Sequence, residues 1–292
     1  VNRLLSIALL VISCVSSPRL GLAALICKEI PYDSFGHLWN NDDGTMGGVP
    51  VGWCAATSIA NSFQYLADSY PDTHSDLIQG TLVETRNMLN NGWLGPGDTP
   101  RPGVMGCPGT LEQPMWEAKY DWIQDYAPKT RVKGMIGGEQ NPSSWRGGEN
   151  LEHAFPTWEW LFQEICDKED VEIVIRDFRP FGSAQLVHAM TLTRICFNDM
   201  DGDMTLDPAT EMPQIGFIDP NQPDVLSMAG LDPTSFEFGP LRFNYNDNGT
   251  IVPVHIRSAM SESPVPEPIT VVLLITGAWG LMICRSFRFS RG

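Results

Sequence analysis

Apolar residues follow a helical period through the first part of the chain and an alternating period through the second. Over residues 55–68, Ile59, Phe63 and Leu66 recur at helical spacing, with Ala56 and Ala60 on or near the same stripe. Tyr70-Pro71 closes that run. Leu77, Leu82, Met88 and Leu89 predict a second helix over 75–91. Trp116, Tyr120 and Ile123 predict a third over 111–126, and a fourth, over 151–167, contains Trp158 and Trp160. From Val171 the pattern alternates and becomes β-branched, which predicts strands over 171–178, 186–197 and 214–219, with further strands over 235–245 and 250–258. Segments 25–52, 92–108 and 133–150, dominated by Gly and other turn residues, read as loop. Helices first and strands later predict an α+β domain, with a helical N-terminal half and a mostly antiparallel sheet in the C-terminal half.

The two ends carry different signals. Arg3 precedes a largely apolar run over 4–15, the size of a signal-peptide core and short for a span. Cleavage is expected after Ala23 or Ala24, so residues 1–24 read as a signal peptide. The alternative is an N-terminal anchor. At the other end, a proline-rich spacer over 263–268 leads into an uncharged stretch over 269–284, followed by Arg285, Arg288 and Arg291. That stretch is just short of the roughly 17–25 residues of a membrane span. Between the ends, residues 25–262 suffice for one sizeable core.

The net charge of −16 excludes nucleic acid as a partner, since nothing would neutralise phosphates. Outside the two terminal segments the cysteines are Cys27, Cys54, Cys107, Cys166 and Cys196. An odd number in an oxidising compartment leaves at least one thiol unpaired if the others pair. No Cys-x-x-Cys pair is present, which argues against a thiol-redox motif or zinc ribbon.

Cys54 is the thiol with a purpose. Gly52-Trp53 delivers it to the first turn of the helix predicted over 55–68. Unpaired N–H groups and the positive end of the dipole stabilise a thiolate there, and the thiolate is the nucleophile. Such a nucleophile needs a base, and His188 precedes a predicted strand in the β half. Asp219, at the exit of the next strand, is positioned to orient the imidazole if the two strands pair, and Asn221 is the alternative orienter.

Two resemblances follow from these residues. Val265-Pro266-Glu267-Pro268, with the uncharged stretch and Arg285 and Arg288 behind it, resembles the PEP-CTERM sorting signal of Gram-negative bacteria. The resemblance implies export, transient anchoring by the C-terminal segment, processing by an exosortase, and delivery to the cell surface or extracellular matrix. Cys54-Ala55-Ala56-Thr57-Ser58 with Tyr65-Leu66, then His188-Ala189-Met190-Thr191-Leu192, then Asp219-Pro220, resemble in kind and order the papain-like cysteine peptidases of the C39-like branch. This implies a papain-like fold, a Cys54–His188–Asp219 triad, a peptide or protein substrate, and no required cofactor. The family's oxyanion-donating Gln, a few residues before the nucleophile, has no counterpart, and Asn40 or Asn41 is the substitute expected. A rival reading is a non-catalytic matrix protein on the same fold that binds extracellular polysaccharide through its tryptophans. Finally, Asp199, Asp201, Asp203 and Asp207 alternate as calcium ligands do, but the glycine and glutamate spacing misses an EF-hand loop. A solvated acidic turn is preferred to a calcium site there.

Overall fold

Helix α1 (Cys54–Ser69) is the element on which the helical half is built. Ala55, Ala56, Ile59, Ala60, Phe63 and Leu66 are all fully buried. A computed structural model describes residues 24–39, 53–92, 112–138, 141–178, 186–236, 239–247 and 249–264. After α1 come the short α2 (Pro71–His74), α3 (Leu82–Asn91), α4 (Glu112–Tyr126) and α5 (Trp158–Cys166). The strands are β1 (Ala24–Glu29), β2 (Thr130–Ile136), β3 (Leu151–Glu152), β4 (Asp170–Asp177) and β5 (Val187–Asp199). They continue as β6 (Gln214–Ile218), β7 (Leu226–Gly230), β8 (Arg242–Asp247) and β9 (Thr250–Pro264).

The protein is α+β, with strands ordered β3-β2-β9-β4-β5-β6-β7, β1 paired to β5 and β8 to β9. All pairings are antiparallel except β2 with β3. Leu231 bridges Phe243, and Asp232 N–H donates to Arg242 O at 2.8 Å. This brings β7 against β8, so six strands, β4 to β9, curl into a ring. Phe217 and Phe243 meet inside it with ring centroids 6.0 Å apart, among buried Leu192, Val254 and Ile256. Helix α1 runs along β4 and β5 on the outside: Thr191 Oγ1 of β5 donates to Ser58 O at 3.3 Å.

Several expected elements differ in extent, each for a local reason. The helix expected over 75–91 is a 3-10 turn (Ser75–Leu77) followed by α3. Gly80 is left-handed (φ +74°), and a reciprocal Thr81–Glu84 capping box begins a new helix. The helix expected over 151–167 contracts to α5, because Pro156 precedes Thr157, whose side chain caps the helix by accepting from Trp160 N–H at 3.2 Å. The expected strand over 235–245 is β8 alone, preceded by a 3-10 turn (Pro233–Phe236). Residues 25–52, read as loop, begin with β1, which starts at Ala24, the last residue assigned to the signal. The strand is held to β5 by the Cys27–Cys196 disulfide. Residues 133–150 lie partly in β2, where Gly134 permits close approach: a Cβ would sit 2.7 Å from Ala259 O. Strand β9 runs through Pro264, two residues beyond the expected domain boundary.

Candidate active site

The local sequence explains how Cys54 is presented. Trp53 is the N-cap residue of the first turn and makes no side-chain capping bond. The fully buried Arg86 of α3 supports this turn. Its guanidinium lies 5.2 Å from the Trp53 ring centre and donates to Trp39 O at 2.9 Å. Residues 36–38 pack across α1: Gly36 N–H donates to Asn61 O, and Leu38 N–H to Asn61 Oδ1, each at 3.0 Å.

Strand β5 then brings His188 to Cys54. The two side chains are hydrogen-bonded, and the backbone N–H groups of Ala189 and Ala55 also donate to the sulfur. His188 Nε2 lies 2.8 Å from Asp219 Oδ1, leaving Nδ1 for the sulfur. Asp219 follows β6, and the pairing of β5 with β6 carries it to the imidazole. All three side chains are buried: Cys54 and His188 are 4% exposed and Asp219 is 3% exposed.

Electrostatics favour the thiolate–imidazolium form of the Cys54–His188 pair. Burial raises the Cys54 thiol, but the His188 charge and the hydrogen bonds outweigh it, and the pKa falls below its ordinary 9.0. Burial also disfavours the imidazolium, yet the Cys54 thiolate and the Asp219 carboxylate raise His188 to about 10. Asp219 is desolvated too, but bonds from His188, Tyr245 and the Asn221 backbone hold it below the usual carboxylate range.

Of the two orienters left open by the sequence, Asp219 is the one against His188. Asn221 supports it, donating its backbone N–H to Asp219 Oδ1 at 2.8 Å. Tyr245 was not foreseen. It is buried, and its O–H donates to Asp219 Oδ2 at 2.7 Å. Its only advance signal was a polar tip on an otherwise apolar strand position. Tyr32 O–H donates to Pro223 O, and His37 Nδ1 lies 2.9 Å from the same oxygen, which fastens the loop after Asp219. Cys54 is a free thiol, as is Cys166.

No protein-family model matches the chain, and no curated protein matches it significantly. The roles of these residues therefore rest on their own geometry.

The other expected site residues separate into two groups. Asn40, Asn41, Val265, Pro266, Glu267, Pro268, Arg285 and Arg288 lie outside the described residues. In the acidic loop, carboxylate oxygens of Asp199, Asp201 and Asp203 lie within 4.8 Å of one another, and Asp207 is not among them. Those carboxylates already accept backbone bonds: Gly202 N–H to Asp199 Oδ1 at 2.7 Å, Asp203 N–H to Asp201 Oδ1 at 3.1 Å, and Thr205 N–H to Asp203 Oδ1 at 2.7 Å. These bonds shape the turn that follows β5. No helix among the described residues is long and apolar enough to cross a membrane.

Proposed function

We propose that the protein is an exported cysteine hydrolase of amide bonds, a papain-like peptidase of the C39-like kind, delivered by an exosortase-processed C-terminal signal. The observation that carries this reading is the buried, hydrogen-bonded Cys54–His188–Asp219 constellation at the start of a helix. In the reaction, the Cys54 thiolate attacks the carbonyl carbon of the scissile amide. The carbonyl oxygen gathers charge at the N-terminus of α1, where the Cys54 backbone N–H is the donor proposed for it. As the C–N bond breaks, the His188 imidazolium gives its proton to the leaving amine, and a thioester remains. His188, now neutral, takes a proton from water, which attacks the thioester and returns Cys54 as thiolate and His188 as imidazolium. Asp219 holds the ring orientation throughout and supports its charge.

The polysaccharide-binding alternative would have been favoured by Cys54 locked in a disulfide, and Cys54 is free. The test compares alkylation of Cys54 and Cys166 by iodoacetamide at neutral pH. Burial raises the Cys166 thiol, so Cys54 should label faster, and Cys54→Ser should abolish that fast phase. Equal or slower labelling of Cys54 would count against the hydrolase.

A further inference from the structure

An arginine row lies just beyond the nucleophile. Thr191 and Ala189 of β5 mark the path of α1 along the strand: Thr191 bonds Ser58, and the Ala189 N–H bonds Cys54, at the helix start. The next residue of β5 on that face is Val187, roughly 7 Å further on. Directly across the sheet from Val187 lies Arg176 of β4. Across from Arg176 is His255 of β9, and across from His255 is Arg242 of β8. Residues paired in this way share a face, so the row starts beyond the Cys54 end of α1 and runs from there across the sheet. It spans about 10 Å, two strand spacings.

Arg176 and Arg242 flank His255 on one face of the sheet, in a chain that carries −16 overall. His255 Nδ1 is buried without a hydrogen-bond partner, and Arg176 Nε and Arg242 Nε are in the same state. Burial and the charges of Arg257, Arg176 and Arg242 lower His255 to about 4, so the ring is neutral near pH 7. The acidic groups near the row are occupied or few. Glu112 pairs with Arg257 at 2.6 Å, and Asp177 accepts from Leu186 N–H at 2.9 Å. An apolar shelf adjoins the row. The half-exposed Phe178 ring lies under the Arg242 guanidinium at 5.0 Å and 4.8 Å from the His255 ring. Phe178, Leu231, Arg242 and Val254 line a pocket of about 490 Å³. Asp232 also lines it, but its Oδ1 already accepts from Thr234 N–H and O–H.

We infer that Arg176, Arg242 and His255 form a subsite for a carboxylate, an Asp or Glu side chain of the peptide substrate, whose stem rests on Phe178. As a substrate subsite it rests on the hydrolase reading; as an anion site it does not. Guanidinium forks match a carboxylate in shape as well as charge, and a neutral His255 adds a polar contact without a second anion's demand.

The test measures binding to Cys54→Ser protein, so turnover plays no part. Fluorescence anisotropy compares short labelled peptides that carry Glu or Gln at one varied position. A charge-assisted pair should give the best Glu peptide about 10-fold or greater preference over its Gln counterpart. The Arg176→Gln/Arg242→Gln double variant should lose that preference. The Arg176→Lys/Arg242→Lys variant should retain part of it, which keeps the test decisive if the Gln variant folds poorly. No preference in the parent protein, or one unchanged in the Gln variant, overturns the proposal. Tighter binding of a uronate oligosaccharide than of any peptide overturns it as well. A retained Glu preference beside an alkylation-inert Cys54 counts against the hydrolase and leaves the anion site standing.

Discussion

His188 decides the chemistry of Cys54 by reversing what burial alone would do. A thiol this buried should ionise above 9.0, and the imidazolium brings it below. His188→Gln removes the charge and leaves the burial, so the sign of the shift should invert. Iodoacetamide labelling followed against pH should show an inflection below 9.0 in the parent protein and above 9.0 in the variant. An unmoved inflection would mean that the pair is not coupled. Tyr245→Phe probes the next link. It leaves one oxygen of a buried carboxylate short of a donor, a loss of about 1–3 kcal/mol. Asp219 then loses one of the bonds that hold it below the usual carboxylate range, so it should titrate higher in the variant, as followed by NMR of its carboxyl carbon. At this scale Cys54, His188 and Asp219 were legible because each sits at an element boundary that local pattern reveals. Tyr245 was not legible: it reaches Asp219 from a strand 26 residues further on, and only the closing of the sheet brings it there.

The elements read best from sequence are those with a dense apolar period, α1, α4 and β4, because their own residues specify which face is buried. Strand β1 had no such signature. It lies on the protein's edge and is largely exposed, with Leu25 65% accessible, so composition marked it as loop. What holds it is non-local: pairing with residues 194–199 of β5 and the Cys27–Cys196 disulfide across 169 residues of chain. Closing so long a loop restricts the unfolded chain, and loss of a native disulfide costs about 2–5 kcal/mol. The Cys27→Ser/Cys196→Ser variant should show that loss in denaturant unfolding. Its Cys54 labelling rate should stay unchanged, since β1 pairs with the far end of β5 from His188. A fall in labelling at full stability would mean that β1 positions the site directly.

Across the whole molecule, helix layer and sheet are joined by a buried charge cluster that no sequence period could announce. Lys119 of α4 pairs with Glu172 of β4 and Glu262 of β9, with Asp170 at 4.0 Å, and all four side chains are fully buried. One cation faces three carboxylates, so the cluster cannot hold every acid ionised cheaply. Burial and the Glu172 charge raise Asp170 to about 7 despite Lys119 and a hydrogen bond with Glu262, and Glu262 is raised as well. The sign of the consequence follows from proton counts. Between pH 3.8 and about 7 the folded protein keeps a proton on Asp170 that the unfolded chain has released. Stability from this group is therefore full below 3.8 and falls as pH rises through about 7. Asp170→Asn removes that dependence. Urea unfolding at pH 5 and pH 8 should show a smaller loss of stability between the two in the variant than in the parent. Lys119→Met gives the converse. It strands the carboxylates and should cost about 3–5 kcal/mol at pH 8, and less at pH 5, where the raised acids hold their protons. If both variants kept the parent's slope, the pH dependence would have to arise elsewhere, and the cluster would serve packing alone.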